Sequence, residues 1–182
     1  MAPRALYNGS ALKNGKERGS GVRMADLDEI YNTKLLELAA HIPCSERLVA
    51  PDATATAHSK LCGSTIAIDL KMSGDRVTGF GQTVKACLLG QATAAIVGSH
   101  IIGATAAEVR AAAAAMRSML KENGDPPAGR FTDLALLEPA RHYKARHGSV
   151  ILVFDALEQA LDEIASRASA KLAAAEPSHA DH

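Results

Sequence analysis

Residues 64–84 read STIAIDLKMSGDRVTGFGQTV, and their alternation decides the fold class. Ile66, Ile68, Leu70 and Met72 fall on one face of an extended chain, with Thr65, Asp69 and Lys71 on the other. A period of two predicts a strand with one buried side. Ser73-Gly74-Asp75 supplies turn chemistry, and residues 76–84 return as a second strand. Upstream, the Thr-rich stretch PDATATAHSKL, residues 51–61, predicts a third. Together they predict an antiparallel meander, with Cys62 at the junction between its first two strands.

The flanking pattern is helical. In ADLDEIYNTKLLELAAHIP, residues 25–43, Leu27, Ile30, Tyr31, Leu35, Leu36 and Leu38 recur at helical spacing, and Pro43 ends the run. After the strands, residues 85–103 and 106–122 are Ala-rich and predict two helices separated at Gly103. Residues 123–130, NGDPPAGR, form a loop. Residues 131–148 predict a short helical piece with a loop, and 149–175 a long final helix running to Pro177. The order predicts an α+β fold: a three-stranded antiparallel sheet with helices packed on one face. A single domain is expected over 25–175, between a flexible basic tail at 1–24 and a flexible C-terminal tail at 176–182.

Composition narrows the function. Apolar residues make up 47 % of the 182-residue chain, enough for a real core. Lys plus Arg and Asp plus Glu are equal at 20 each, so no overall field favours nucleic acid or an anionic membrane. Aromatic residues are scarce and Trp is absent, which argues against a base-stacking surface. No apolar run reaches the roughly 18 residues of a membrane span. The opening residues hold no continuous hydrophobic segment, and three cysteines make an odd number, so a reducing, cytoplasmic setting is expected. There is no Gly-rich phosphate loop and no Gly-x-Ser-x-Gly elbow.

The chemistry rests on the cysteines. Cys62 sits at a strand junction, and Cys87 follows the last strand near the start of a helix, where backbone N–H groups favour a thiolate. The two could meet at one end of the sheet, although two thiolates do not complete a tetrahedral metal site. From the residues alone, each reads equally as a ligand, a reactive thiol or a small buried residue.

The stretch CGSTIAIDLKMSGDRVTGFGQTVKACLLGQATAAIVGSHIIGATAAEV, residues 62–109, followed by FTDLALLEPARHYKARHGSVILVFDAL, residues 131–157, resembles the U-type iron-sulfur cluster scaffold family: IscU, SufU and the N-terminal domain of NifU. The likeness covers most of residues 26–160, and residues 122–146 resemble the SufU insertion. In that family the first ligand cysteine stands in Cys-Gly-Asp ahead of a strand, the second begins a helix, and the third opens the final helix. Cys62-Gly63 matches the first and Cys87 the second. This chain has Ser64 in place of the Asp and Ser149 in place of the third Cys, and a neutral hydroxyl is a poor ligand for zinc or iron.

The resemblance implies a carrier rather than an enzyme. Iron or an iron-sulfur cluster would be held by Cys62 and Cys87, with zinc, or no metal, as alternatives. A cysteine desulfurase would supply sulfur, and iron-sulfur acceptor proteins would receive the product. Two further readings are an accessory subunit of a larger complex and a zinc-dependent sulfur acceptor. His147 and His58 are substitute ligands, each also readable as a surface histidine. His142 reads as solvated, His100 as packed, and Cys44 as a spectator or an exchange partner for Cys62. Ser149 also fits a helix N-cap. Arg141, Lys144 and Arg146 form a solvated face, or else a cationic group that lowers a thiol pKa and guides an acidic partner.

Overall fold

The computed structural model describes residues 24–175, with side chains placed from residue 32 onward. Helix α1 spans Met24–Ala40; strands β1, β2 and β3 span Ala53–His58, Thr65–Ser73 and Arg76–Lys85. Helices α2, Leu88–His100, and α3, Ala106–Glu122, follow, then 3-10 turns over Gly129–His142 and Lys144–Arg146, and last helix α4, His147–Ala175. The expected tails lie outside the described residues, except that Met24 opens α1. No described helix is long and apolar enough to cross a membrane.

The meander forms as the alternation requires. Strand order is β1-β2-β3, both pairs antiparallel, with His58 opposite Thr65 and Thr65 opposite Lys85. Ala53, Ala55 and Ala57 of β1 and Ile66, Ile68 and Leu70 of β2 are buried beneath the helices. Gly74 turns the β2–β3 hairpin at φ 59°, a conformation that glycine adopts without steric cost. Small residues let α2 lie at the centre: a Cβ at Gly90 would stand 3.1 Å from the Ser149 carbonyl of α4, and one at Gly98 would meet Gln82 and Pro43. In α1, Leu35 is buried and Leu38 packs on the core, whereas Leu36 is exposed.

The opposite sheet face, expected to be polar, is covered where it passes Asp69. Gly81 stands opposite Asp69 in the register, and neither Gly79 nor Gly81 has a side chain to fill that strip. Residues 46–48 lie in it, and the Cys44 carbonyl accepts from Gln82 N–H on the outer edge of β3. That bond occupies an edge that would otherwise be free to pair with another chain.

The segment read as a short helical piece is a 3-10 stretch. Phe131, Leu134, Leu137 and Ala140, three residues apart, are all buried, matching the three residues per turn of that helix. Helix α3 starts with a capping box: Glu108 N–H donates to Thr105 Oγ1 at 3.1 Å, and Thr105 N–H to Glu108 Oε2 at 2.7 Å. Thr105→Ala should lower stability by about 1 kcal/mol, read as a shift of the urea midpoint at constant m-value.

Candidate functional site

Strand β1 hands over to β2 through a tight turn. Ser59 N–H donates to Ser64 O at 2.8 Å and Gly63 N–H to Ser59 O at 2.9 Å, with Gly63 at φ 69°. The turn directs Cys62 towards the first turn of α4. Gly148 allows the approach, since a Cβ there would stand 3.0 Å from Ser59 Oγ.

Three hydroxyls meet the thiol. Cys62 Sγ lies 2.7 Å from Ser149 Oγ, 3.1 Å from Ser64 Oγ and 3.2 Å from Ser59 Oγ. Ser64 Oγ and Ser149 Oγ are 3.1 Å apart, and both residues are buried, at 3 % and 0 % exposure. A thiol has one proton and donates to one oxygen at a time, whereas a thiolate accepts from all three hydroxyls. Burial pushes the Cys62 thiol up, but hydrogen bonds from Ser149, Ser59 and Ser64 outweigh it and bring the pKa down to about 6. The half-buried Cys62 is thus a thiolate near neutrality while its turn stays open to solvent: Leu61 is 84 % exposed.

Cys87 is the N-cap of α2, makes no side-chain cap bond and is half-buried. The Thr65–Lys85 pairing sets it at the same end of the sheet as the Cys62 turn, one helical turn before Gly90, which packs on Ser149. Cys44 sits elsewhere. Its Sγ is 3.7 Å from Gly98 O, eight residues along α2 from Gly90, or about 12 Å of helix. Burial raises its pKa.

Several expectations are corrected. Ser149 is not an N-cap but the third residue of α4, with its hydroxyl turned to Cys62. His147 is buried rather than on the surface, and its Nε2 lies 3.2 Å from Ala140 O and 3.1 Å from Arg141 O, a place for an N–H donor. His58 is exposed and bonded to Thr65 Oγ1 at 3.0 Å, and His142 is exposed as read. His100 is only half-buried and meets Asp133 at 2.8 Å. The Cys62 shift comes from the three hydroxyls and a Ser64 backbone hydrogen bond and not from Arg141, Lys144 or Arg146; Arg141 pairs with Glu138 at 2.7 Å, and the other two are exposed. Sequence reasoning missed Ser59, whose only signal is its place three residues before Cys62 in a turn.

The donor set does not fit a closed metal site. Among the described residues no group of three or more His, Cys, Asp or Glu side chains could hold a metal ion. The groups around Cys62 are neutral hydroxyls.

No family model and no curated protein matches the chain. Solved structures do. A nitrogen-fixing NifU-like protein (N-terminal) from Brucella abortus is 50 % identical with a TM-score of 0.75, over 78 % of this chain and 98 % of that one. A protein described as an iron-sulfur cluster assembly scaffold for the SUF system, from the thermophile Fervidobacterium islandicum AW-1, shares the fold at 16 % identity and a TM-score of 0.67, over 73 % and 97 % of the two chains.

Proposed function

Because this chain belongs to the U-type iron-sulfur cluster scaffold family that includes NifU-like N-terminal domains, we propose that it serves cluster assembly as a carrier whose reactive group is the Cys62 thiolate. The observation behind this reading is the trio of hydroxyls at 2.7, 3.1 and 3.2 Å from one thiol beside an exposed turn. The Cys62 thiolate attacks the outer sulfur of a persulfide on a cysteine desulfurase. The donor's S–S bond breaks, its thiolate leaves, and the sulfur arrives on Cys62 as a persulfide with no net oxidation. Cys87 is the second thiol at that end of the sheet, and the sulfur carried by Cys62 would go into clusters destined for acceptor proteins.

The test is anaerobic incubation with a desulfurase and cysteine, followed by mass spectrometry of the Cys62 peptide. The expected result is one added sulfur atom, absent in Cys62→Ala. Sulfur uptake unchanged by Cys62→Ala would overturn the reading. The hydroxyls of Ser64 and Ser149 favour a second reading, an accessory subunit that kept the fold without assembling clusters. Stable co-purification with a larger complex, undiminished by Cys62→Ser and without sulfur uptake, would select it.

A further inference from the structure

Three serine hydroxyls surround Cys62 Sγ on its protein side. Zinc bound to a thiolate stands about 2.3 Å from the sulfur and asks for further deprotonated or imidazole donors around it. Here the neighbouring positions hold Ser59, Ser64 and Ser149, whose hydroxyls keep their protons at neutral pH. Ser64 and Ser149 also pack 3.1 Å apart and are sealed from water, so neither turns outward to make room without leaving a buried hydroxyl unpaired.

A metal ion and a ring of hydroxyls do the same electrostatic work on a thiolate by different means. The metal supplies charge and takes up a sulfur lone pair, which quenches the nucleophile until the metal leaves or exchanges its ligand. Hydroxyl donors supply partial charge from several directions and leave a lone pair free on the exposed side. Nothing then has to dissociate before the sulfur attacks.

We infer that Cys62 takes up sulfane sulfur without a metal ion, the hydroxyls of Ser59, Ser64 and Ser149 stabilising the thiolate in the metal's place. The inference rests on the sulfur-carrier reading above. The Cys62 thiolate attacks the outer sulfur of a persulfide donor, the donor's S–S bond breaks, and its thiolate departs and takes a proton from solvent. The inner sulfur of the new persulfide stays among the three hydroxyls while the outer sulfur extends towards the open turn. The three serines are positioning residues.

Two measurements test this on the full chain. In the first, anaerobically purified protein is exposed to glutathione persulfide with and without a strong chelator, and the Cys62 peptide is followed by mass spectrometry. Equal rates of single-sulfur gain are expected, with Ser149→Ala slower at pH 6 in both conditions. In the second, cobalt(II) and zinc are titrated into the wild type and into Ser64→Asp/Ser149→Cys. Only the double variant should show thiolate-to-cobalt charge-transfer absorption, and only there should zinc suppress sulfur uptake. Stoichiometric cobalt or zinc binding at Cys62 of the wild type, or uptake lost on chelation and restored by metal, overturns the inference and leaves the carrier reading standing. Absence of sulfur uptake with and without metal overturns the carrier reading and the inference with it.

Discussion

Replacing Asp69 with alanine should lower the stability of the fold by about 3 kcal/mol, read as a fall in the urea midpoint. Its side chain is 1 % exposed and satisfied on both oxygens: Arg47 Nε donates at 2.5 Å, Arg47 Nη2 and Thr54 Oγ1 at 2.7 Å, and Leu48 N–H at 2.9 Å. Arg47 is half-exposed and can turn to water once the carboxylate is gone. The Leu48 N–H and the Thr54 hydroxyl lose their acceptor, and the strip over Gly79 and Gly81 loses what ties residues 46–48 to it. Asp69→Asn keeps the shape but sets an amide donor among donors, and should lie between.

The same clamp fixes an acid limit. The Arg47 hydrogen bond, against the opposing effect of burial and with help from Thr54 and Leu48, holds the Asp69 carboxyl at about 2, below its usual 3.8. A carboxyl whose pKa is lower folded than unfolded binds its proton more readily in the unfolded chain. The stability it confers is therefore complete above about pH 4 and drains away as pH falls through about 2. The gap in urea midpoint between wild type and Asp69→Ala should narrow over that interval. A gap as wide at pH 2 as at pH 7 would show that the clamp does not depend on the charge.

Patterns carried within one segment were legible before the structure. Alternation in residues 64–84 gives β2 and β3, the Ala-Thr alternation gives β1, and the threefold spacing of Phe131, Leu134, Leu137 and Ala140 stood in the sequence unread as a 3-10 helix. Contacts between segments were not legible. Asp69 reads as the polar face of a strand because its partner Arg47 lies 22 residues earlier in a stretch without periodicity. Ser149 reads as a cap because a hydroxyl before an apolar helix has that local use, while its actual partner is 87 residues away. The family likeness located Cys62, Cys87, Ser64 and Ser149, and left open what hydroxyls would do there. The geometry turns two apparent losses of ligand into support for one thiolate: a turn, a glycine at 148 and another at 90 all bring serine oxygens to the same sulfur.

Removing those oxygens should change the reactivity of Cys62 in opposite directions at low and high pH. With all three serines as alanine, the thiol should return from about 6 towards its ordinary 9, because burial would then act unopposed by hydroxyl donors. At pH 6 that shift lowers the thiolate fraction by about 500-fold, while the more basic thiolate is about 15- to 30-fold more nucleophilic, so attack on a small disulfide should slow by about 15- to 30-fold. Near pH 9.5 the wild type gains nothing from further deprotonation, and the variant, mostly thiolate and intrinsically stronger, should react about 10- to 25-fold faster. The two profiles therefore cross, between about pH 7 and 8 on the same arithmetic. Mass spectrometry of the Cys62 peptide separates its reaction from those of Cys44 and Cys87. Parallel profiles without a crossing would mean that the serines shape access to the sulfur and not its charge, whereas a wild-type midpoint of 8 or above would mean that the hydroxyls do not lower the thiol pKa.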